Sequence, residues 1–383
     1  MTIYLDNAAS SCPKPPAVAE AVDRCLKRYC ANPGRGAHRL AVEASRIIHR
    51  TRTAAAALLG VADGADVIFT HNATDSLNMA MRGILTPGDH VITTAVEHNS
   101  VVRPLAALGR EGVSVSWVQA DSAGRIDPQD IAGEIRAETR LAVVSHVSNV
   151  TGAVQPIREI GELLAGHGVP LLVDAAQSAG AIPLDMGAMP VGMLACTGHK
   201  SLLGPQGTGL LYISPEIELR SFRQGGTGSR SRDEQDSLPR PDRYECGTLN
   251  TPGIAGLGAG IAYINENGLE KLSRHKDEMT RRLQEGLGEI DTVEVYGPGP
   301  GEPRGHLVSF NVGGMASAEV AGLLDREHDI AARAGLHCAP GAHRAMGTLK
   351  RGVVRLSVGA FNTVGEIDTA LAAVERIAAG EGG

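Results

Sequence analysis

From about Asp66 to Ile213 the sequence alternates apolar runs of strand length with stretches of helix length, and no repeat or low-complexity tract interrupts the pattern. Runs that stay apolar at every position, not at every second one, belong to strands covered on both faces. The alternation therefore predicts an α/β architecture, a mainly parallel sheet between layers of helix. The clearest strands are Val67-Ile68-Phe69-Thr70, His90-Val91-Ile92-Thr93-Thr94, Leu141-Ala142-Val143-Val144-Ser145 and Pro170-Leu171-Leu172-Val173-Asp174. In such sheets ligands gather beyond the carboxyl ends of the strands. The polar residues of this sequence cluster at those same ends.

A chain of 383 residues exceeds the ~250–300 residues at which single cores stop growing, which predicts two domains. The larger spans 15–255, and the smaller combines 1–14 with 256–383. A long helical pattern begins after Gly253 and runs past Leu272 as the bridge between them. The smaller domain holds strands around Leu307–Val312 and Val353–Val358 and ends in a helix from Val364 to about Ala379. Residues 225–243 are polar, glycine-rich and aperiodic, and read as a lid or a plain solvated loop, with no role for Arg230 or Arg232.

Composition narrows the partners. A net charge of −7 and the absence of a long basic run argue against nucleic acid or an anionic membrane and leave a small substrate. The start, Met1-Thr2-Ile3-Tyr4-Leu5-Asp6-Asn7, lacks the pattern of a signal peptide and no 18-residue apolar run occurs, which places the expected compartment in the cytoplasm. Cys12, Cys25, Cys30, Cys196, Cys246 and Cys338 show no C-x-x-C spacing, so neither a metal site nor a redox pair is signalled. Most of them read as inert fillers.

The stretch Ala195-Cys196-Thr197-Gly198-His199-Lys200-Ser201 puts a lysine on a tight connection between two strand-like runs, the second being Gly207–Ile213. Desolvation there favours the neutral amine that forms a Schiff base, whereas the bland reading is a surface lysine in a turn. Asp174 leaves a very apolar strand about one βα unit earlier and needs a cationic partner such as a pyridinium nitrogen; as a helix N-cap it would need none. Ala73 and Thr74 open a helix after the strand ending at Thr70, where free N–H groups suit a phosphate or simply an N-cap. His98 and Asn149 follow two further strands, one able to stack on a flat ring and pass protons, the other able to bond a ring oxygen.

In the second half, Cys338 stands in Arg333-Ala334-Gly335-Leu336-His337-Cys338-Ala339-Pro340, where Arg333 and His337 are placed to lower its pKa. Arg355, inside an apolar strand, suits a substrate carboxylate or a structural ion pair.

The whole combination resembles the pyridoxal-phosphate-dependent cysteine desulfurases and selenocysteine lyases of the class V aminotransferases. The resemblance runs from Tyr4-Leu5-Asp6-Asn7-Ala8-Ala9 to Phe361-Asn362-Thr363 and is most specific at His146-Val147-Ser148-Asn149, Val173-Asp174-Ala175-Ala176-Gln177, Thr197-Gly198-His199-Lys200 and Arg333–Cys338. It implies fold type I, a mainly parallel seven-stranded sheet sandwiched by helices with a smaller α+β domain. It further implies that Lys200 binds pyridoxal 5'-phosphate covalently, Asp174 pairs with the ring nitrogen, Gln177 meets the ring hydroxyl oxygen and His98 stacks on the ring. Thr74, Thr197 and His199 would bind the phosphate, with Thr248 reaching in from the other subunit of a homodimer. Arg355 and Asn149 would hold the substrate.

The implied reaction converts L-cysteine to L-alanine, Lys200 removing the α-proton and Cys338 taking the sulfur as a persulfide for an acceptor protein or thiol. Leu336-His337 replaces a more usual pair of histidines, and 339–352 differs in composition, so the acceptor and the choice between cysteine and selenocysteine stay open. A class V aminotransferase, and a partner without turnover in a sulfur-transfer complex, are the alternative readings.

Overall fold

The structure, a computed structural model, describes residues 2–34, 36, 38–227 and 238–381. Its thirteen strands among those residues are β1 (Ile3–Tyr4), β2 (Val67–Thr70), β3 (His90–Thr94), β4 (Ser114–Val118), β5 (Thr139–Ser145), β6 (Leu171–Asp174), β7 (Met193–Thr197), β8 (Gly209–Ile213), β9 (Val293–Tyr296), β10 (Leu307–Val312), β11 (Ile330–Ala331), β12 (Arg333–Gly335) and β13 (Val353–Ser357).

Seven of them form one sheet in the order β2-β8-β7-β6-β5-β3-β4. The strands from β4 to β7 in that order pair in parallel, while β8 runs antiparallel to both its neighbours. Successive side chains of the apolar runs go to opposite faces: Ile68, Val91, Val143 and Leu172 enter one core, and Phe69, Ile92, Val144 and Val173 the other. That two-sided burial is why the runs are apolar at every position. The mainly parallel sheet expected from the sequence is present.

The helices Ala73–Ile84 and Asn99–Arg110 follow β2 and β3, so both N-termini open at the carboxyl edge of the sheet. Asn72 caps the first by accepting the Asp75 N–H at 2.9 Å, and His98 caps the second, its Nδ1 accepting the Ser100 N–H at 3.1 Å.

The bridge is two helices, not the single one expected. Thr251–Asn267 and Leu269–Gly288 meet at Gly268, whose φ of 80° ends the first ladder. A glycine takes that left-handed conformation at little cost, so the chain can turn there without a loop. Beyond it lies the antiparallel sheet β12-β13-β10-β9. Leu283, Leu324 and Val374, from helices Leu269–Gly288, Ser317–His328 and Val364–Ala378, pack with Phe310 and Leu356 in a third core. The N-terminus joins this unit: β1 pairs in parallel with β11, and Leu5 is fully buried in the same core.

Residues 228–237 of the expected lid, including Arg230 and Arg232, lie outside the described residues. Among the described residues no helix is long and apolar enough to cross a membrane.

Candidate active site

A cavity of about 220 Å³ opens at the carboxyl ends of β2, β3, β5, β6 and β7, between the large sheet and the β12-β13 edge. Ala73, Thr74, His98, Asn149, Asp174, Gln177, Thr197, His199, Lys200, Cys338 and Arg355 all line it. Eleven side chains scattered through the sequence thus converge because parallel strands deliver their ends to one edge, and β12 and β13 close the opposite wall.

Lys200 stands on the turn between the antiparallel neighbours β7 and β8. Burial pushes its amine down to about 8, the positive Arg355 and Arg333 add to that, and Asp174 opposes it. Asp174 ends β6 and is itself raised by burial, against the lowering pull of the Ala176 N–H and of Lys200. Its Oδ1 accepts from that N–H at 2.9 Å. Gln177 donates from Nε2 to the Ala8 carbonyl at 3.1 Å, tying the loop after β6 to the N-terminal segment.

The other wall suits an anion. Ala73 and Thr74 are the first residues of a twelve-residue helix, so their N–H groups precede its first ladder bond. Thr74 Oγ1 lies 2.8 Å from Ser100 Oγ, which joins the two helix N-termini. Thr197 Oγ1 makes only a long contact, 3.5 Å, to the Thr208 carbonyl. His199 has a buried Nδ1 with no partner among the described residues, and burial with Lys200 and Lys14 nearby pushes it down to about 4. His98 is likewise pushed down to about 4, first by burial and then by Lys200.

Cys338 is exposed and lines the cavity from a short, tightly held loop. His337 and Cys338 take φ values of 47° and 59°, a left-handed pair that costs non-glycine residues roughly 1–2 kcal/mol each. Two bonds from the large sheet side hold it: Asn149 Nδ2 donates to the His337 carbonyl and the Asn99 N–H to the Cys338 carbonyl, both at 2.7 Å.

His337 does not serve the thiol as the sequence suggested. Its ring is buried, bonded through Nε2 to the Val353 carbonyl at 3.2 Å and stacked on His343 with centroids 6.0 Å apart. Burial and the charge of Arg355 push it down to about 3, so at neutral pH it carries no charge to lend Cys338. Arg333 remains, on the cavity wall.

Arg355 is 1% exposed and makes the structural ion pair that was one of the two readings made from sequence. Its Nη2 pairs with Asp6 Oδ1 at 2.8 Å, and its Nη1 donates to the Asn149 carbonyl at 2.9 Å. Its Nε has no partner among the described residues. The ion pair recruits an acid from the N-terminus, a contact between residues 349 apart that no local pattern announces.

Thr248 is the one predicted residue that the structure sets elsewhere in its own chain. It lines a second cavity of about 390 Å³ and accepts from Asn32 Nδ2 at 3.4 Å. Ala8, Ala9 and Ser145 line the main cavity without having been singled out. Ala8 and Ala9 carry no chemistry a sequence reading can detect, whereas Ser145 is the last residue of a predicted strand, a position that could have flagged it. Of the cysteines only Cys25 and Cys196 are buried, so the inert-filler reading holds for fewer than expected.

The profile of the family described as Aminotransferase class-V matches residues 3–370. A probable cysteine desulfurase of Methanothermobacter thermautotrophicus is 37% identical over 98% of this chain and 94% of its own. A cysteine desulfurase of Haloferax volcanii is 33% identical over 97% and 88%. The apo structure of a cysteine desulfurase from Thermococcus onnurineus superposes with a TM-score of 0.93 at 35% identity, covering 99% of this chain and 95% of that one. With the family profile spanning nearly the whole chain and relatives this similar over nearly their full length, the chain belongs to the class V aminotransferases, among relatives named cysteine desulfurase.

Proposed function

We propose that this chain is a pyridoxal-phosphate-dependent cysteine desulfurase that converts L-cysteine to L-alanine and receives the sulfur on Cys338 as a persulfide. The observation that carries the reading is the position of an exposed thiol, Cys338, on the same cavity as the half-buried Lys200 and the buried Asp174 carboxylate.

The cavity fits the cofactor on groups it leaves unsatisfied. Asp174 is a buried carboxylate that enters no ion pair among the described residues, as a pyridinium nitrogen would require of its partner. Ala73 and Thr74 hold free N–H groups at a helix start, and His199 Nδ1 is buried and unpartnered, a donor set for a phosphate. When bound, pyridoxal phosphate supplies an electron sink for charge developing at the substrate Cα. Lys200, pushed toward its neutral form, moves the Cα proton. His98, neutral through burial, would cover the ring face, and Gln177 would meet the ring oxygen.

Arg355 has its Nε free for the substrate carboxylate while Asp6 and the Asn149 carbonyl hold the other end of the guanidinium. Thr248 lies off the cavity of its own chain, which fits a homodimer in which it completes the partner's site. The sulfur on Cys338 then passes to an acceptor thiol or protein.

The test is mass spectrometry of the pure protein after L-cysteine, with alanine assayed alongside, for wild type and Cys338→Ala. One added sulfur on Cys338 with alanine release is expected for the wild type, and a loss of both of about a hundredfold or more for the variant. Equal alanine from both proteins with no added sulfur would overturn the reading and direct the search to selenocysteine and amino-group transfer.

A further inference from the structure

Glu97 is a carboxylate that the proposed reaction does not use. It follows β3, directly precedes His98 and is completely buried. Thr94 Oγ1 donates to its Oε1 at 2.7 Å, the Ser145 N–H to the same oxygen at 3.0 Å, and Ser145 Oγ to Oε2 at 2.5 Å. Three donors on two oxygens are the surroundings of an ionised carboxylate. Among the described residues no cation pairs with it. A buried acid built this way is costly, and the fold keeps it beside the cavity.

Ser145 ends β5 and is the register partner of Asp174 on β6, and it also lines the cavity. Glu97, Ser145 and Asp174 therefore stand in a row across the ends of three adjacent strands, with the two carboxylates near enough to repel each other. The remaining charged or titratable groups facing this row are Lys200 from the β7-β8 turn, Cys196 from β7, His98 from the adjoining helix cap, His146 from the end of β5, Arg333 and Arg355 from β12 and β13, and Asp6 behind Arg355.

We propose that Glu97 is a positioning residue that acts through Ser145 on Asp174, a second negative charge behind the cavity floor that strengthens the hold of Asp174 on a protonated heterocyclic nitrogen. The inference rests on the reading of the cavity as a pyridoxal phosphate site. Burial pushes Glu97 up to about 7, so its charge grows as the pH rises through neutrality. An ionised Glu97 raises the proton affinity of every group it faces, and neutralising it lowers that affinity.

The experiment compares wild type, Glu97→Gln and Ser145→Ala, each loaded with pyridoxal phosphate. It reads the pH midpoint of the visible absorbance change of the bound cofactor and its dissociation constant by equilibrium dialysis, in the absence of substrate. Glu97→Gln is expected to move the midpoint to lower pH by about half a unit or more and to weaken binding about threefold or more. Ser145→Ala, which removes one donor from Glu97 and so holds less charge there, is expected to move it the same way by less. A Glu97→Gln protein with weaker binding and an unmoved midpoint overturns the proposal, because loosened packing alone would do that. Should Glu97→Gln fail to fold, Ser145→Ala decides by the same reading, an unmoved midpoint overturning the proposal. A wild type that takes up no pyridoxal phosphate overturns the cofactor reading itself, a result distinct from wild-type and variant midpoints that coincide.

Discussion

Burial pushes the Lys200 amine down to about 8, and Asp174 pulls the other way. At pH 7 the amine is therefore still mostly protonated, and it becomes the neutral nucleophile as the pH rises through about 8, where an exposed lysine would wait until near 10.5. Acetic anhydride labelling of the cofactor-free protein, followed at the Lys200 peptide by mass spectrometry, is expected to reach half its plateau rate near pH 8. Asp174→Asn removes a charge that raises the lysine, so the same midpoint is expected to fall further. The type of residue at 200 was readable from its small and hydroxyl neighbours. The direction of its shift was readable too, since desolvation is the leading cause; the added push of Arg355 and Arg333 was not, because they come from strands more than a hundred residues later.

At the scale of elements, the cysteine loop is held by the large sheet as much as by its own strand. The helix Pro340–Ala345 begins two residues after Cys338, and a Cβ at Gly341 would stand 1.7 Å from the Ala95 carbonyl beyond β3. Backbone meets backbone there, so only glycine fits. Gly341→Ala is expected to cost about 1–3 kcal/mol in denaturant unfolding and to release the loop, read as faster alkylation of Cys338 by iodoacetamide. Unchanged alkylation with unchanged stability would show that the contact does not hold the loop. The left-handed pair His337 and Cys338 belongs to the same economy: the strain is local, and the two hydrogen bonds that hold it come from Asn149 and Asn99.

At the scale of the whole molecule, several histidines are held buried or half-buried in neutral form. His337 is pushed down to about 3, and His98, His146, His199 and His306 to about 4, from an ordinary 6.5, with burial the leading cause in each. The folded state thus binds fewer protons than the unfolded chain between about pH 6.5 and about pH 4. Their stabilisation is complete above the unfolded value and is lost as the pH falls through the folded ones. Each contributes up to about 1.4 kcal/mol per pH unit inside that window. The Tm of the cofactor-free protein is expected to fall steeply from pH 7 to pH 4. His337→Asn is expected to flatten that slope, whatever it does to stability at pH 7. A Tm independent of pH over the window would contradict neutral burial.

The sequence by itself determined the sheet, because a strand buried on both faces must be apolar throughout, and it marked the strand ends, because polar residues can follow such a run only where it leaves the core. Lys200, Asp174, His98, Asn149, Thr74 and Cys338 were legible for that reason or from the resemblance. Only the tertiary structure decided which charges come near one another: Asp6 on Arg355, Glu97 close enough to Asp174 to repel it, and a His337 too deeply buried to help the cysteine beside it. Those outcomes depend on desolvation and on contacts between distant residues. Neither is written in residue type or spacing, since the same histidine is charged or neutral according to what the rest of the chain packs around it.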